Sequence, residues 1–237
     1  MSDLKILGLR IDWDKIDEGS YLRNIPALSS LDELEFRKPV TFFVGENGSG
    51  KSTLIEAMAV QYGFNPEGGT KNYSFSPYDS HSELHDALTL VRGTSKAQWG
   101  YFLRAESFYN VATQENEYSK SGGIPQFYHR MSHGESFLAM AKENFKPNGL
   151  YLLDEPEAAL SPQRQMAMMV KMAECAEQGS QFIVVTHSPV LLALPDSDIL
   201  SFDGEKIHRC EYEETESYKV TEMFINNRER ILDLLLG

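Results

Sequence analysis

Residues 45–52 read "GENGSGKS", and no other stretch of the chain restricts the fold as much. The pattern is G-x-x-x-x-G-K-[S/T], and its flanks are what give it meaning. Upstream, "VTFFVGENG" (40–48) is a short β-rich run that ends in glycine-rich turn chemistry. Downstream, "KSTLIEAMAVQYG" (51–63) carries Leu54, Ile55, Met58, Ala59 and Tyr62 at helical spacing, with Gly63 as a stop. A strand therefore feeds a helix through glycines. Such a turn lets successive N–H groups and the helix N-terminus point at phosphate oxygens. The expected phosphate-binding set is Gly45, Asn47, Gly48, Ser49, Gly50, Lys51, Ser52 and Thr53. Lys51 would reach the outer phosphates, and the Ser52 hydroxyl would ligate magnesium.

Two further strands end in polar residues. "GLYLLDE" (149–155) is an apolar run that delivers Asp154 and Glu155 at its C-terminal end, where an open α/β sheet binds ligands. Adjacent acids suit different tasks there: Asp154 to hold the metal, directly or through water, and Glu155 to accept a proton from attacking water. "QFIVVTH" (181–187) ends in His187, which would emerge on the same sheet edge and face the outermost phosphate or the water. Between these strands, Ser161 followed by Pro162 starts a helix that runs to about Gln178.

The remaining pattern fills out an α/β chain. "LKILGLRID" (4–12) predicts an opening strand, and "DALTLVRG" (86–93) with "AQWGYFLRA" (97–105) predicts an antiparallel hairpin that builds a small side sheet. Residues 64–85 and 109–130 are rich in Gly, Pro, Ser and Asn and predict loops, with no heptads for a coiled-coil arm. A helix is expected over 132–145, short strands near "DILSFD" and "EKIHRC", and a final helix over 217–236. Its Phe224, Ile225, Ile231, Leu232, Leu234 and Leu235 would pack on the core or on a partner. Strands alternating with helices imply parallel pairing. The expected fold class is therefore α/β: a P-loop NTPase with a mostly parallel core sheet flanked by helices and a small antiparallel side sheet, one domain over 1–237.

Residues 131–136, "MSHGES", place Ser132 and Gly134 at the start of the 132–145 helix, some twenty residues ahead of "LLDEPEAALS". In their order, "GENGSGKS", "MSHGES", "LLDEPEAALS" and "TH" resemble the Walker A, signature, Walker B, D-loop and switch histidine of the ABC-type ATPase family. The short loop-like middle and the atypical signature, in which His133 and Glu135 replace Gly and Gln, look more like soluble SMC- and RecF-like ATPases, or small bacterial AAA/ABC ATPases, than like transporter subunits. The resemblance implies ATP and Mg²⁺ as cofactors and Glu155, His187 and Lys51 as catalytic residues. It also implies a head-to-tail homodimer in which Ser132 and Gly134 cap the ATP held by the opposite Walker A, with Ala158–Ser161 crossing the interface. The Q-loop position would fall on Ala105 or Glu106, and an adenine-stacking aromatic on Trp13 or Tyr21. Three functions are compatible with the resemblance: an ATPase coupled to a partner, in DNA maintenance or defence; an ATP-gated binding switch with little turnover; or the nucleotide-binding subunit of a transporter.

Charge bears on the partner. With 22 Lys and Arg against 35 Asp and Glu, the net charge of -13 argues against a non-specific nucleic-acid binder, which needs a basic surplus. Convergence of Arg10, Arg23, Arg92, Arg104 and Lys120 would be needed to make a local basic face. No apolar run reaches the roughly 18 to 20 residues of a membrane span, and "MSDLKILGLRID" lacks signal-peptide character, so a cytoplasmic protein is expected. Cys175 and Cys210 form neither a zinc pattern nor a disulfide framework.

Overall fold

The computed structural model describes residues 4–66, 68–70, 82–104 and 133–237, with the backbone alone at 133–137 and 159. The strands are β1 (Ile6–Ile11), β2 (Glu33–Glu35), β3 (Val40–Val44), β4 (Leu88–Arg92), β5 (Trp99–Arg104), β6 (Gly149–Asp154), β7 (Gln181–Val185), β8 (Asp198–Ser201) and β9 (His208–Arg209). The long helices are α1 (Lys51–Tyr62), α2 (His133–Asn144), α3 (Pro162–Glu177), α4 (Glu216–Asn226) and α5 (Arg228–Leu236). One sheet has the order β5-β6-β7-β3-β8-β9, parallel except for the last pair; the other, β2-β1-β4, is antiparallel.

Every residue of β3, β6 and β7 is buried, and their side chains divide by strand alternation between two cores. Phe43, Leu152, Ile183 and Val185 face a core that includes Leu54, Ile55 and Met58 of α1 and Leu9 and Leu88 of the side sheet. Phe42, Val44, Tyr151, Leu153, Phe182 and Val184 face the opposite core, where Met140, Met168 and Met172 of α2 and α3 close over them. α1 ends as expected, at Gly63 in the left-handed region (φ 99°, ψ 24°).

Two expectations are corrected. The stretches 86–93 and 97–105 do not form a hairpin: β4 pairs antiparallel with β1, and β5 pairs parallel with β6 at the edge of the large sheet. The reason is burial. Tyr101, Phe102 and Leu103 lie in succession and are all buried, so β5 needs cover on both faces. β4 keeps exposed positions and suits a sheet with one open face. The final helix is two, broken at Asn227 (φ −131°, ψ 30°), whose backbone N–H and side-chain amide both donate to the Met223 carbonyl. Neither helix buries a residue; Ile225 and Leu234 are 70% and 77% exposed, so the core does not receive this face. No described helix is long and apolar enough to cross a membrane.

Tyr151 ties β6 to the end of α2. Its ring stacks on Phe182 at 4.7 Å, and its hydroxyl accepts from the Lys146 N–H at 2.6 Å while facing the Asn144 and Lys146 carbonyls. Burial pushes the phenol pKa up to about 12. Ionisation is thus harder in the folded than in the unfolded chain, so this group's stabilisation is complete below the ordinary tyrosine pKa of about 10 and is lost as pH rises toward 12. Tyr151→Phe is expected to cost about 1–2 kcal/mol at neutral pH. The wild-type advantage over it should shrink as urea unfolding is repeated from about pH 9 to pH 11. A constant difference across that range would refute the assignment.

Candidate functional site

The parallel strands end on one edge, and their register sets the ends side by side. Arg104, Asp154, Val185, Phe43 and Leu200 lie in a row across β5, β6, β7, β3 and β8. The next residues of each strand therefore share that edge: Glu155 after β6, Thr186 and His187 after β7, the 45–50 loop after β3, and Asp203 after β8. A cleft of about 1180 Å³ opens there, lined by Gly45, Glu46 and Asn47, by Glu155, Thr186 and His187, by Asp203, and by the C-terminal segment between Glu214 and Val220.

Gly45, Gly48 and Gly50 all have positive φ, at 138°, 83° and 93°. At Gly50, directly before α1, a Cβ would also meet Leu28 at 2.5 Å, so both conformation and space require glycine. α1 has no side-chain cap at its start, and its first-turn N–H groups, at Lys51, Ser52 and Thr53, have no partner within the helix. Lys51 is 4% exposed and bends back over the loop, its ammonium donating to the carbonyls of Gly45 (2.6 Å) and Glu46 (2.7 Å) and to Ser49 Oγ (3.3 Å). Burial lowers its pKa from the ordinary value, and the carboxylates of Asp203, Glu155 and Asp154 act in the opposite direction.

The Ser52 hydroxyl donates to Asp154 Oδ1 at 3.0 Å, across 102 residues of chain. These are two hard oxygen ligands on one spot beside a helix N-terminus, a donor set that fits Mg²⁺ accompanied by phosphate. Among the described residues no cluster of three or more His, Cys, Asp and Glu forms an all-protein metal cage. Glu155 takes a left-handed conformation (φ 51°, ψ 51°), anchored by its N–H to the Val185 carbonyl. Its Oε1 lies 3.9 Å from His187 Nε2, and both side chains are partly exposed.

Three residues take structural parts in this site that the sequence reading did not assign to them. Glu157 accepts the His187 N–H at 2.6 Å and so ties the turn after β6 to the turn after β7; burial raises its carboxyl pKa above the ordinary value. Arg104 pairs with Glu56 of α1 at 2.6 Å and lies 4.0 Å from Asp154 Oδ2. Asp203 accepts the Glu46 N–H at 2.8 Å. The third acid in "DEPE" was the one available hint for Glu157; the other two contacts depend on strand order.

The other sequence assignments scatter. Trp13 packs against the core with its indole N–H on the Leu31 carbonyl, whereas Tyr21 is 56% exposed. Gly134 lies in the first turn of α2; Ser132, Ala105, Glu106 and Lys120 fall outside the described residues. Ala158 lies within the 3-10 helix Pro156–Ala159, and Ser161 is the residue before α3. Four arginines are engaged locally: Arg10 with Glu33, Arg23 with the Trp13 and Ile16 carbonyls, Arg92 over the Tyr62 ring, and Arg104 as above.

Comparison with known proteins finds ATPase domains and ATP-binding proteins. Two family models match, an AAA domain over residues 21–123 and an AAA ATPase domain over 116–192. Among curated relatives, the nisin transport ATP-binding protein NisT of Lactococcus lactis is 25% identical over 90% of this chain and 41% of its own length. The ABC-type transporter ATP-binding protein EcsA of Bacillus subtilis is 25% identical over 79% and 81%. The chain thus spans about two fifths of some relatives and most of others. Similar solved structures include the SMC head domain from Thermotoga maritima, with a TM-score of 0.43 and 15% identity over 88% of this chain and 99% of that one. Between them, residues 21–192 thus match family models of AAA and AAA ATPase domains.

Proposed function

We propose that this chain binds ATP with Mg²⁺ and hydrolyses it by in-line attack of water, and that ATP joins two copies head to tail. The observation that carries the reading is the meeting of Ser52 and Asp154 at 3.0 Å beside the loop that Lys51 crosses. Lys51 and the loop amides, from Gly45 and Asn47 through Thr53, would hold the phosphates. Ser52 and Asp154 would hold the metal, which supplies charge neutralisation on the phosphate oxygens. Glu155 would take the proton of the attacking water, and His187 would steady that water and the outer phosphate. Positioning and charge stabilisation, not a covalent intermediate, carry such a reaction.

Each site would be completed by Ser132 and Gly134 of the second copy, which bring a helix N-terminus toward the terminal phosphate. Such a dimer is a switch as well as an enzyme, since ATP bridges the two halves and ADP does not. A transporter subunit is the second reading, favoured by the names of the relatives NisT and EcsA. Sedimentation of Glu155→Gln tests the dimer. Mg-ATP, but neither ADP nor buffer, is expected to double the mass, and adding Ser132→Arg is expected to keep it monomeric. A protein that binds ATP and stays monomeric at all concentrations would sink the composite site. Recovery of the chain in a stable complex with a membrane-embedded partner would favour the transporter reading.

A further inference from the structure

We propose that Asp203 is a positioning residue for the phosphate-binding loop: its carboxylate locks the Gly45–Glu46 peptide plane and so aims the Gly45 carbonyl at the Lys51 ammonium. The proposal rests on the reading that this loop binds ATP.

Asp203 comes after β8 and begins the Asp-Gly turn toward β9, which is the ordinary explanation for an aspartate at this position. The turn accounts for its local bonds, from its own N–H to Ser201 Oγ (3.2 Å) and from the Ser201 hydroxyl to Oδ2 (3.3 Å). It does not account for Oδ1, which accepts the Glu46 N–H at 2.8 Å across 157 residues of chain. In a trans peptide the N–H and the C=O of one unit point in opposite directions. With the Glu46 N–H held by Asp203, the carbonyl of the same unit, that of Gly45, points the other way, to Lys51 Nζ at 2.6 Å. A flipped plane would set that carbonyl against a carboxylate and withdraw an acceptor from Lys51.

The approach depends on the glycine. A Cβ on Gly45 would stand 3.0 Å from Asp203 Oδ1 and 3.2 Å from Phe202 Cβ, at a φ of 138°. β8 itself is held in place, since it pairs with β3 through Val44 and Ser201, and the Phe202 N–H donates to the Val44 carbonyl at 2.8 Å. Asp203 thus lies just beyond a strand paired into the sheet, which suits a group that must orient a loop.

Binding of a fluorescent ATP analogue with Mg²⁺, measured for wild type, Asp203→Ala and Asp203→Asn beside thermal melts of each, tests this. Asparagine keeps an acceptor for the Glu46 N–H and removes the charge; alanine removes both. Asp203→Ala is expected to weaken binding about tenfold or more with little change in melting temperature, and Asp203→Asn to remain within about threefold of wild type. Wild-type affinity in Asp203→Ala overturns the proposal. So does equal loss in both variants, whether at unchanged melting temperature, which would make the charge the active feature, or in proportion to lost stability. If wild type itself fails to bind, the ATP reading falls first and the proposal with it.

Discussion

Replacing Glu155 by glutamine is expected to slow steady-state phosphate release by about 100- to 10,000-fold, the span ascribed to a positioned general base. Nucleotide affinity should hold within a small factor. The substitution is nearly isosteric and meets the same left-handed backbone, so the Glu155 N–H to Val185 carbonyl bond and the turn after β6 should persist. What is lost is the capacity to accept a proton at a carboxylate 3.9 Å from His187. Single-turnover measurement with Mg-ATP checks this. Turnover within a few-fold of wild type would remove Glu155 from the chemistry and point to another base, whereas parallel loss of binding and turnover would mean that the change had disturbed the loop.

The second large effect falls on stability. Gln181, at the start of β7, is 1% exposed, and its amide stitches the two sheets together. Oε1 accepts the N–H groups of Lys5 and Ile6, both at 2.8 Å, and Nε2 donates to the Ile6 carbonyl at 2.9 Å. Gln181→Leu keeps the volume and strips these partners from three backbone groups at the head of β1. Each buried backbone group left without a partner costs about 1–3 kcal/mol, so urea unfolding is expected to show a loss of at least about 3 kcal/mol. A loss below about 1 kcal/mol would mean that β1 re-pairs without the glutamine. Because β7 also leads into His187, hydrogen exchange should locate the loosening at residues 4–12 rather than at the cleft if the joint is only structural.

How much of the site was legible in the sequence depended on how local each feature is. The loop, its glycines and α1 form one continuous strand–turn–helix unit whose backbone demands are written in adjacent residues. Asp154 and Glu155 stand at the end of an apolar run, and that run could only be a buried strand. By contrast, β5 has a hairpin partner ready in the preceding strand, and nothing within "AQWGYFLRA" says that its two apolar faces will be covered by α2 on one side and by Phe64 and its neighbours on the other. The break at Asn227 falls inside "NNRER", and the apolar period running through that stretch conceals it.

Read alone, the sequence carries the class of fold, the glycine turn ahead of α1 and the identity of the acids and the histidine at two strand ends. These are consequences of period, of glycine conformation and of which residues a turn places next to a helix. Tertiary structure alone decided which strand ends are neighbours, because strand order is set by the burial of whole faces and not by any residue at the tip. That order places β7 between β6 and β3, and β8 beyond β3. It brings Ser52 to Asp154, Glu157 to the His187 backbone and Asp203 to the Glu46 N–H, contacts spanning 102, 30 and 157 residues.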